Sequence, residues 1–317
     1  MNGLILSKDA QVYLNLSRAQ QTNFAAHHAS TSAEALQLSN DALARVEWLL
    51  AEPALAVEVL DQLPNLRWLQ STWAGVEKLF AHPRRDYTLT NIRGVFAPLM
   101  SEYVLAHVLA HERQLFAHRA AQKNQVWFNA SSGAQVGTLR GKTLLILGVG
   151  SIGAGLARMM RPFGLRVLGV VQAKRDVPEC DVVGTMADVP EFLAQSDYVV
   201  NTLPNTPATQ DIINTRFLQQ MKSTAILINV GRGQAVVEND LAHALNTRQI
   251  AGAVLDVYRT EPLPPEHIFW HTPNLTLTSH TAAPSFPADI FTVFWDNYQR
   301  FHAQQSLRCV VDFNKGY

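Results

Sequence analysis

A chain of 317 residues is too long for one ordinary core, so two domains are the expectation, and 47% hydrophobic content suits well-buried sheets. Lysine plus arginine balance aspartate plus glutamate at 26 each, which argues against a nucleic-acid surface. The two cysteines, Cys180 and Cys309, allow no disulfide framework and lack metal-ligand spacing, so no metal is expected. The opening MNGLILSKDA carries no basic leader and no apolar run approaches the ~20 residues of a membrane span, so the expected setting is cytoplasmic, without a membrane.

In chain order, Gly3 to Ser7 is a short apolar run suited to a first strand, and Arg45 to Ala51, Arg67 to Thr72 and Tyr87 to Ile92 suit further strands. Between them Pro53 opens a helix, at a first-turn position where no N–H is needed. Alternating strands and helices imply a parallel sheet covered on both faces, in a unit ending near Pro98. From Ser101, a plausible N-cap, one helix of about twenty residues is expected to carry two apolar stripes, through Val104, Val108 and Leu115 and through Leu105, Leu109 and Phe116. Its histidines, His107, His111 and His118, read as polar or interface positions rather than ligands. The segment Gln125 to Arg140, with Trp127 and Phe128, reads as a loop carrying exposed aromatics, a common form of interface arm.

Thr143 to Gly155 is the stretch around which the rest is organised. Thr143 to Leu147 reads as a buried strand, followed by Gly148, Gly150 and Gly153 at G-x-G-x-x-G spacing and an apolar helical run. The glycines permit a sharp turn, backbone approach to a pyrophosphate and tight helix–strand packing. Ser151 and Ile152 then start a helix whose free N–H groups and dipole favour phosphate, which gives a dinucleotide site. The alternation continues with strands at Arg166 to Val171, Tyr198 to Thr202, Ala225 to Val230, Ala251 to Val257 and Leu275 to Ser279, and with helices at Asp188–Gln195 and Glu238–Asn246. In such a doubly wound sheet, ligands bind at the carboxyl ends of the strands. A helical pattern from Pro287 to Gln305 is expected to return to the first domain, and two crossings suit hinge closure. The expected division is therefore 1–100 with 285–317, and 101–284.

Three strand ends carry unusual polar residues: Arg232 in NVGRG, Glu261 in DVYRTEPLP and His280 in LTSHTAA. Each alone has an ordinary structural explanation. Their joint placement at successive strand ends points to a reaction centre. Roughly eighteen residues beyond Gly153, where an NAD enzyme places an acid, stand Val171, Gln172 and Ala173, with Lys174 and Arg175 before the first acid, Asp176. Cations there accept a ribose 2′-phosphate, so NADP is the expected cofactor, with NAD as the alternative.

The ordered set GVGSIG, NTLPNTPAT, NVGRG, LDVYRTEPLP and SHTAA resembles the D-isomer-specific 2-hydroxyacid dehydrogenases over nearly the whole chain. Within that family it is most similar to the glyoxylate/hydroxypyruvate reductase branch, including the ending Gly316–Tyr317. The resemblance implies two doubly wound parallel-sheet domains, a Rossmann coenzyme domain inserted into a flavodoxin-like substrate domain. It also implies reduction of a small 2-oxo acid by hydride from NADPH. STWAGVEKL is similar to the family's substrate loop, which places Trp73, Ala74 and Gly75 at the substrate, with backbone N–H groups of Ala74 and Gly75 on its carboxylate.

Carried over on the same terms, Arg232 binds the carboxylate and polarises the carbonyl, His280 protonates the carbonyl oxygen, and Glu261 holds the histidine oriented and protonated. The chemistry agrees: hydride delivery builds negative charge on oxygen, so a cation and a proton donor must already be there. Asp256 resembles the residue that holds the nicotinamide amide, and Thr202, Pro204 and Val230 match positions lining the cofactor. A homodimer built through the coenzyme domain is implied, with the Trp127 loop at or near the partner's cleft. This sequence departs from the pattern at Ser279, where the family usually has proline, at Trp73, where many members have a small residue, and at Phe286, where the branch has arginine. Two alternatives stay open: another 2-oxo acid on the same fold, or a nicotinamide-sensing corepressor. No tail or regulatory domain is expected beyond Tyr317, and the triad is complete, which favours an enzyme.

Overall fold

The computed structural model describes residues 2–313; the Gly316–Tyr317 ending lies outside them. The chain divides into two compact units, one made of residues up to Val95 with those from Ser285 onward, the other Phe96–Pro284.

The first unit holds five strands: β1 (Asn2–Leu6), β2 (His27–Ala29), β3 (Val46–Ala51), β4 (Trp68–Ser71) and β5 (Thr88–Thr90). They pair in parallel in the order β2-β1-β3-β4-β5, the flavodoxin-like order. β2 escaped the sequence reading. Its HHA has no apolar pattern, and it is a strand because β1 offers an edge, with Leu4 opposite His27. On one face Leu4, Leu49 and Leu69 join a single aliphatic core. On the other, helix Pro287–His302 lays Phe294 parallel to Trp68, with ring centroids 5.7 Å apart, and Tyr298 edge-on to Trp48 at 5.5 Å. The aromatic spacing of that helix is thus explained by an aromatic sheet face beneath it.

The second unit has seven parallel strands: β6 (Thr143–Leu147), β7 (Arg166–Val170), β8 (Val182–Gly184), β9 (Tyr198–Asn201), β10 (Ile226–Asn229), β11 (Gly252–Leu255) and β12 (Leu275–Leu277). Their order, β12-β11-β10-β9-β6-β7-β8, reverses direction between β6 and β9, the switch point at which doubly wound sheets bind ligands. β8 is a correction to the sequence reading, which passed from β7 directly to β9; only three residues long and half-buried, it gives no apolar run to read. Alternate residues of β6 feed opposite cores, Leu145 and Leu147 on one face, Leu144 and Ile146 on the other. Burial of both faces is what makes TLLIL continuously apolar.

The helix expected from Ser101 starts earlier, at Ala97, with Pro98 in its first turn, and runs to Glu112. Ser101 is no cap: it is buried, and its hydroxyl donates to the Ala97 carbonyl at 2.6 Å. Nor is the helix continuous. Gln114 takes a left-handed φ of 49°, and a second helix, Leu115–Lys123, follows with Leu115 and Phe116 facing outward. The two apolar stripes therefore end at the break. His107 packs on Tyr103 with centroids 4.5 Å apart and His111 lies edge-on to Tyr198; burial pushes both imidazoles below their ordinary pKa. Among the described residues no group of histidine, cysteine or carboxylate side chains could hold a metal ion, and no helix is long and apolar enough to cross a membrane.

Candidate active site

The second unit brings its strand-end residues together. Gly148 turns the chain after β6 with a φ of 91°, in the left-handed region open to glycine, and a Cβ on Gly153 would meet the Gly148 carbonyl oxygen at 2.7 Å. Helix Ser151–Met160 can therefore start directly against the strand end, with Gly150 as its N-cap. A Cβ on Gly150 would meet nothing within 4 Å, which leaves open space above the first-turn N–H groups of Ser151, Ile152 and Gly153. That cradle suits a pyrophosphate. Thr202 closes it from β9: its hydroxyl lies 2.6 Å from the Gly148 carbonyl oxygen. Pro204 follows, its carbonyl accepting from the Thr209 hydroxyl at 2.6 Å, and Val230 is buried at the end of β10. Beyond β7, Gln172 and Lys174 are exposed, and the Arg175 guanidinium donates to the Val149 carbonyl of the glycine turn. Arg175 is thus folded back over the cradle.

His280 and Glu261, nineteen residues apart in sequence, meet: His280 Nδ1 lies 2.8 Å from Glu261 Oε2. The other oxygen of Glu261 accepts the Tyr258 N–H at 2.9 Å, so the carboxylate is fixed before it reaches the imidazole. Nδ1 directed at a carboxylate leaves Nε2 as the imidazole nitrogen available to a substrate. The side chain of His280 is about half exposed, open to a small ligand. Its backbone has a φ of 55°, unusual for a residue with a side chain and costing of order 1–3 kcal/mol.

Asp256 holds that conformation in place. It is buried, and its carboxylate accepts from Thr278 Oγ1 at 2.5 Å, Thr281 N at 2.8 Å and Ala282 N at 3.0 Å, while its carbonyl accepts His280 N at 2.8 Å. Tyr258 donates its hydroxyl to the Thr278 carbonyl at 2.7 Å. Anchors on both sides fix the loop through Ser279, the position where proline was expected.

The Arg232 turn lies against the Glu261 turn, since a Cβ on Gly233 would fall 1.9 Å from the Tyr258 carbonyl carbon. Arg232 Nη1 donates to the Gly231 carbonyl at 2.9 Å. In the first unit, the turn after β4 presents Trp73 46% exposed, with its N–H on Ser71 Oγ and with Asn91 Nδ2 donating to the Ala74 carbonyl at 2.8 Å. Phe286, also exposed, precedes helix Pro287–His302.

Residues 105–282 match the family model of the D-isomer-specific 2-hydroxyacid dehydrogenase NAD-binding domain, more than half of the chain. The chain belongs to the D-isomer-specific 2-hydroxyacid dehydrogenase family. A family protein of known structure from Aeromonas salmonicida is 41% identical, superposes with a TM-score of 0.91 and covers 98% of this chain and 99% of its own. The NADPH-dependent glyoxylate/hydroxypyruvate reductase of Sinorhizobium meliloti, solved with NADP and sulfate, is 27% identical with a TM-score of 0.87, over the full length of both chains. Glyoxylate/hydroxypyruvate reductase A of Serratia proteamaculans is 32% identical over 82% of this chain and 84% of its own length. This dehydrogenase is accordingly an NAD(P)-dependent oxidoreductase, and the residues matched by the NAD-binding-domain model fall within its second unit.

Sequence reasoning missed the polar residues that organise the site rather than face it: Asn201, Asn229, Tyr258 and Thr278. A readable signal existed for two of them. YVVN and ILIN are apolar strands that each end in asparagine, and the two asparagines sit side by side in the sheet.

Proposed function

We propose that this dehydrogenase reduces a small 2-oxo acid, glyoxylate or hydroxypyruvate, to the D-2-hydroxy acid with NADPH. The 2.8 Å His280–Glu261 contact carries the reading, because it supplies an oriented proton donor at a strand end of the same sheet whose β6 leads into the dinucleotide cradle. The bound nicotinamide supplies the hydride. Arg232 binds the substrate carboxylate and polarises the carbonyl, which concentrates positive charge where negative charge develops. His280 Nε2 gives its proton to the carbonyl oxygen, and Glu261 stabilises the imidazolium beforehand. The test is oxidation of NADPH on addition of glyoxylate or hydroxypyruvate. Binding of NADPH without turnover of any 2-oxo acid supports a sensing protein instead.

The preference for NADPH is assigned to Lys174 and Arg175, supported by the absence of an acid before Asp176 and by the fold of Arg175 over the glycine turn. Charge-assisted contacts of about 1.5–3 kcal/mol, reduced by exposure, give roughly a tenfold to hundredfold preference. Replacing both residues by alanine is expected to remove most of it with little change in the kinetics with NADH. Equal efficiency of the unmodified enzyme with NADH and NADPH contradicts the assignment. Val230, Thr202, Pro204 and Asp256 line the nicotinamide end in this reading.

The protein is further proposed to be a cytoplasmic, two-fold homodimer built through the coenzyme unit. Trp127 is 87% exposed, and Leu115, Phe116 and Val126 are exposed on the adjoining helix and loop, while Phe128 folds back on His118 with centroids 5.1 Å apart. Exposed apolar surface of this kind marks an interface. Light scattering is expected to give the mass of a dimer at micromolar concentration, and a stable monomer contradicts it.

A further inference from the structure

We propose that Asn201 and Asn229 form a positioning pair that sets the direction of Arg232 and ties it to the cofactor-side strand end. The two residues occupy matching positions at the carboxyl ends of β9 and β10, and both are fully buried. Two primary amides at the edge of an all-apolar sheet layer must have their polar atoms satisfied, and the structure satisfies them in one pattern. Asn201 Nδ2 donates to Asn229 Oδ1 at 2.9 Å, and Asn201 Oδ1 accepts the Leu203 N–H at 3.2 Å. Asn229 Oδ1 also accepts the Gly231 N–H at 3.1 Å, while its Nδ2 donates to the Arg232 carbonyl at 3.1 Å.

Asn229 therefore grips the chain on both sides of the Gly231–Arg232 dipeptide. With the N–H before it and the carbonyl after it held by one rigid amide, Arg232 is kept extended, at φ −139° and ψ 145°, and the exit direction of its side chain follows. Asn201 supplies the link to the neighbouring loop. A Cβ on Gly231 would come within 2.8 Å of the Leu203 carbonyl oxygen and 3.0 Å of Asn201 Nδ2, so the two turns are already in close contact. Leu203 lies between Thr202, whose hydroxyl holds the glycine turn, and Pro204. Hydrogen bonds, joined by the backbone of residues 201–203, link Gly148 through Thr202 and the asparagine pair to Arg232. Neither asparagine faces the ligands; each acts through the residues it holds.

The proposal rests on the reading of Arg232 as the carboxylate-binding cation, and its test separates the two. Asn229→Ala is expected to raise KM for glyoxylate about tenfold or more, to lower kcat less, and to leave the dissociation constant for NADPH within about twofold. Made on top of Arg232→Ala, the same substitution is expected to change KM by no more than about twofold, because its effect passes through a side chain already gone. If Asn229→Ala does not fold, Asn201→Ala carries the comparison, since it removes the link but leaves both Asn229 bonds to the turn; a KM increase of about threefold is then expected. An unchanged KM in the folded variant overturns the proposal. So does an equal further loss in the Arg232→Ala background, or a loss of NADPH affinity as large as the rise in KM. Normal kinetics in Arg232→Ala itself overturns the functional reading beneath it.

Discussion

His280→Ala is expected to lower kcat by roughly two to four orders of magnitude while NADPH still binds, the usual range for a lost general acid. The expectation follows from how the residue is held. Its loop is fixed through backbone bonds to Asp256 and through Thr278, not through the imidazole, so truncation at Cβ leaves the carboxylate of Asp256 and its three donors in place. What disappears is the proposed proton donor and the partner of Glu261. The residual rate then measures what Arg232 and the bound geometry achieve without a positioned proton, in the way that disabled catalytic sites retain some catalysis. NADPH binding by fluorescence, measured beside turnover, separates loss of chemistry from loss of structure. A variant within about threefold of normal turnover removes His280 from the mechanism.

Arg232→Ala is expected to reduce kcat/KM by roughly a hundred- to thousandfold, divided between a raised KM and a lowered kcat. The division distinguishes Arg232 from His280. A guanidinium bound to the substrate carboxylate acts before the reaction begins, so its loss weakens binding; the same charge beside the carbonyl acts more strongly as oxygen becomes anionic, so its loss also slows the reaction. Substitution by lysine keeps the charge but not the planar fork, and is expected to recover only part of the loss. A fall in kcat with unchanged KM contradicts the role in carboxylate binding.

How much of this was legible in the sequence depended on whether burial on both faces wrote a strand into the composition. TLLIL, RVLGV and VEWLLA declare themselves because nearly every position is buried, the only charges, Arg166 and Glu47, standing where the strand is exposed or half-buried. HHA of β2 and VVG of β8 are edge strands made by pairing alone, and nothing in three residues announces an edge. The helix break at Gln114 was equally silent, since glutamine is a good helix former and its left-handed φ is imposed by the surroundings. At the site, the glycine fingerprint was readable because each glycine answers a local steric demand. From the residues alone, Glu261 and His280 were readable only as two polar residues at neighbouring strand ends; their partnership was implied by the family resemblance. The carboxylate of Asp256 gives its oxygens to the His280 loop, an anchoring role that no spacing displays. For Asn201 and Asn229 the strand-ending position was readable but the role was not: their hydrogen bonds join turns from different strands, and such bonds exist only once the sheet has formed.

The proposed reaction transfers hydride from NADPH to a 2-oxo acid and yields the D-hydroxy acid. The most direct measurement is the amount and chirality of the glycerate formed from hydroxypyruvate and NADPH. One NADPH is expected to be consumed per glycerate, with the D enantiomer as the product. Formation of L-glycerate, or no glycerate from an enzyme that binds NADPH, would contradict it.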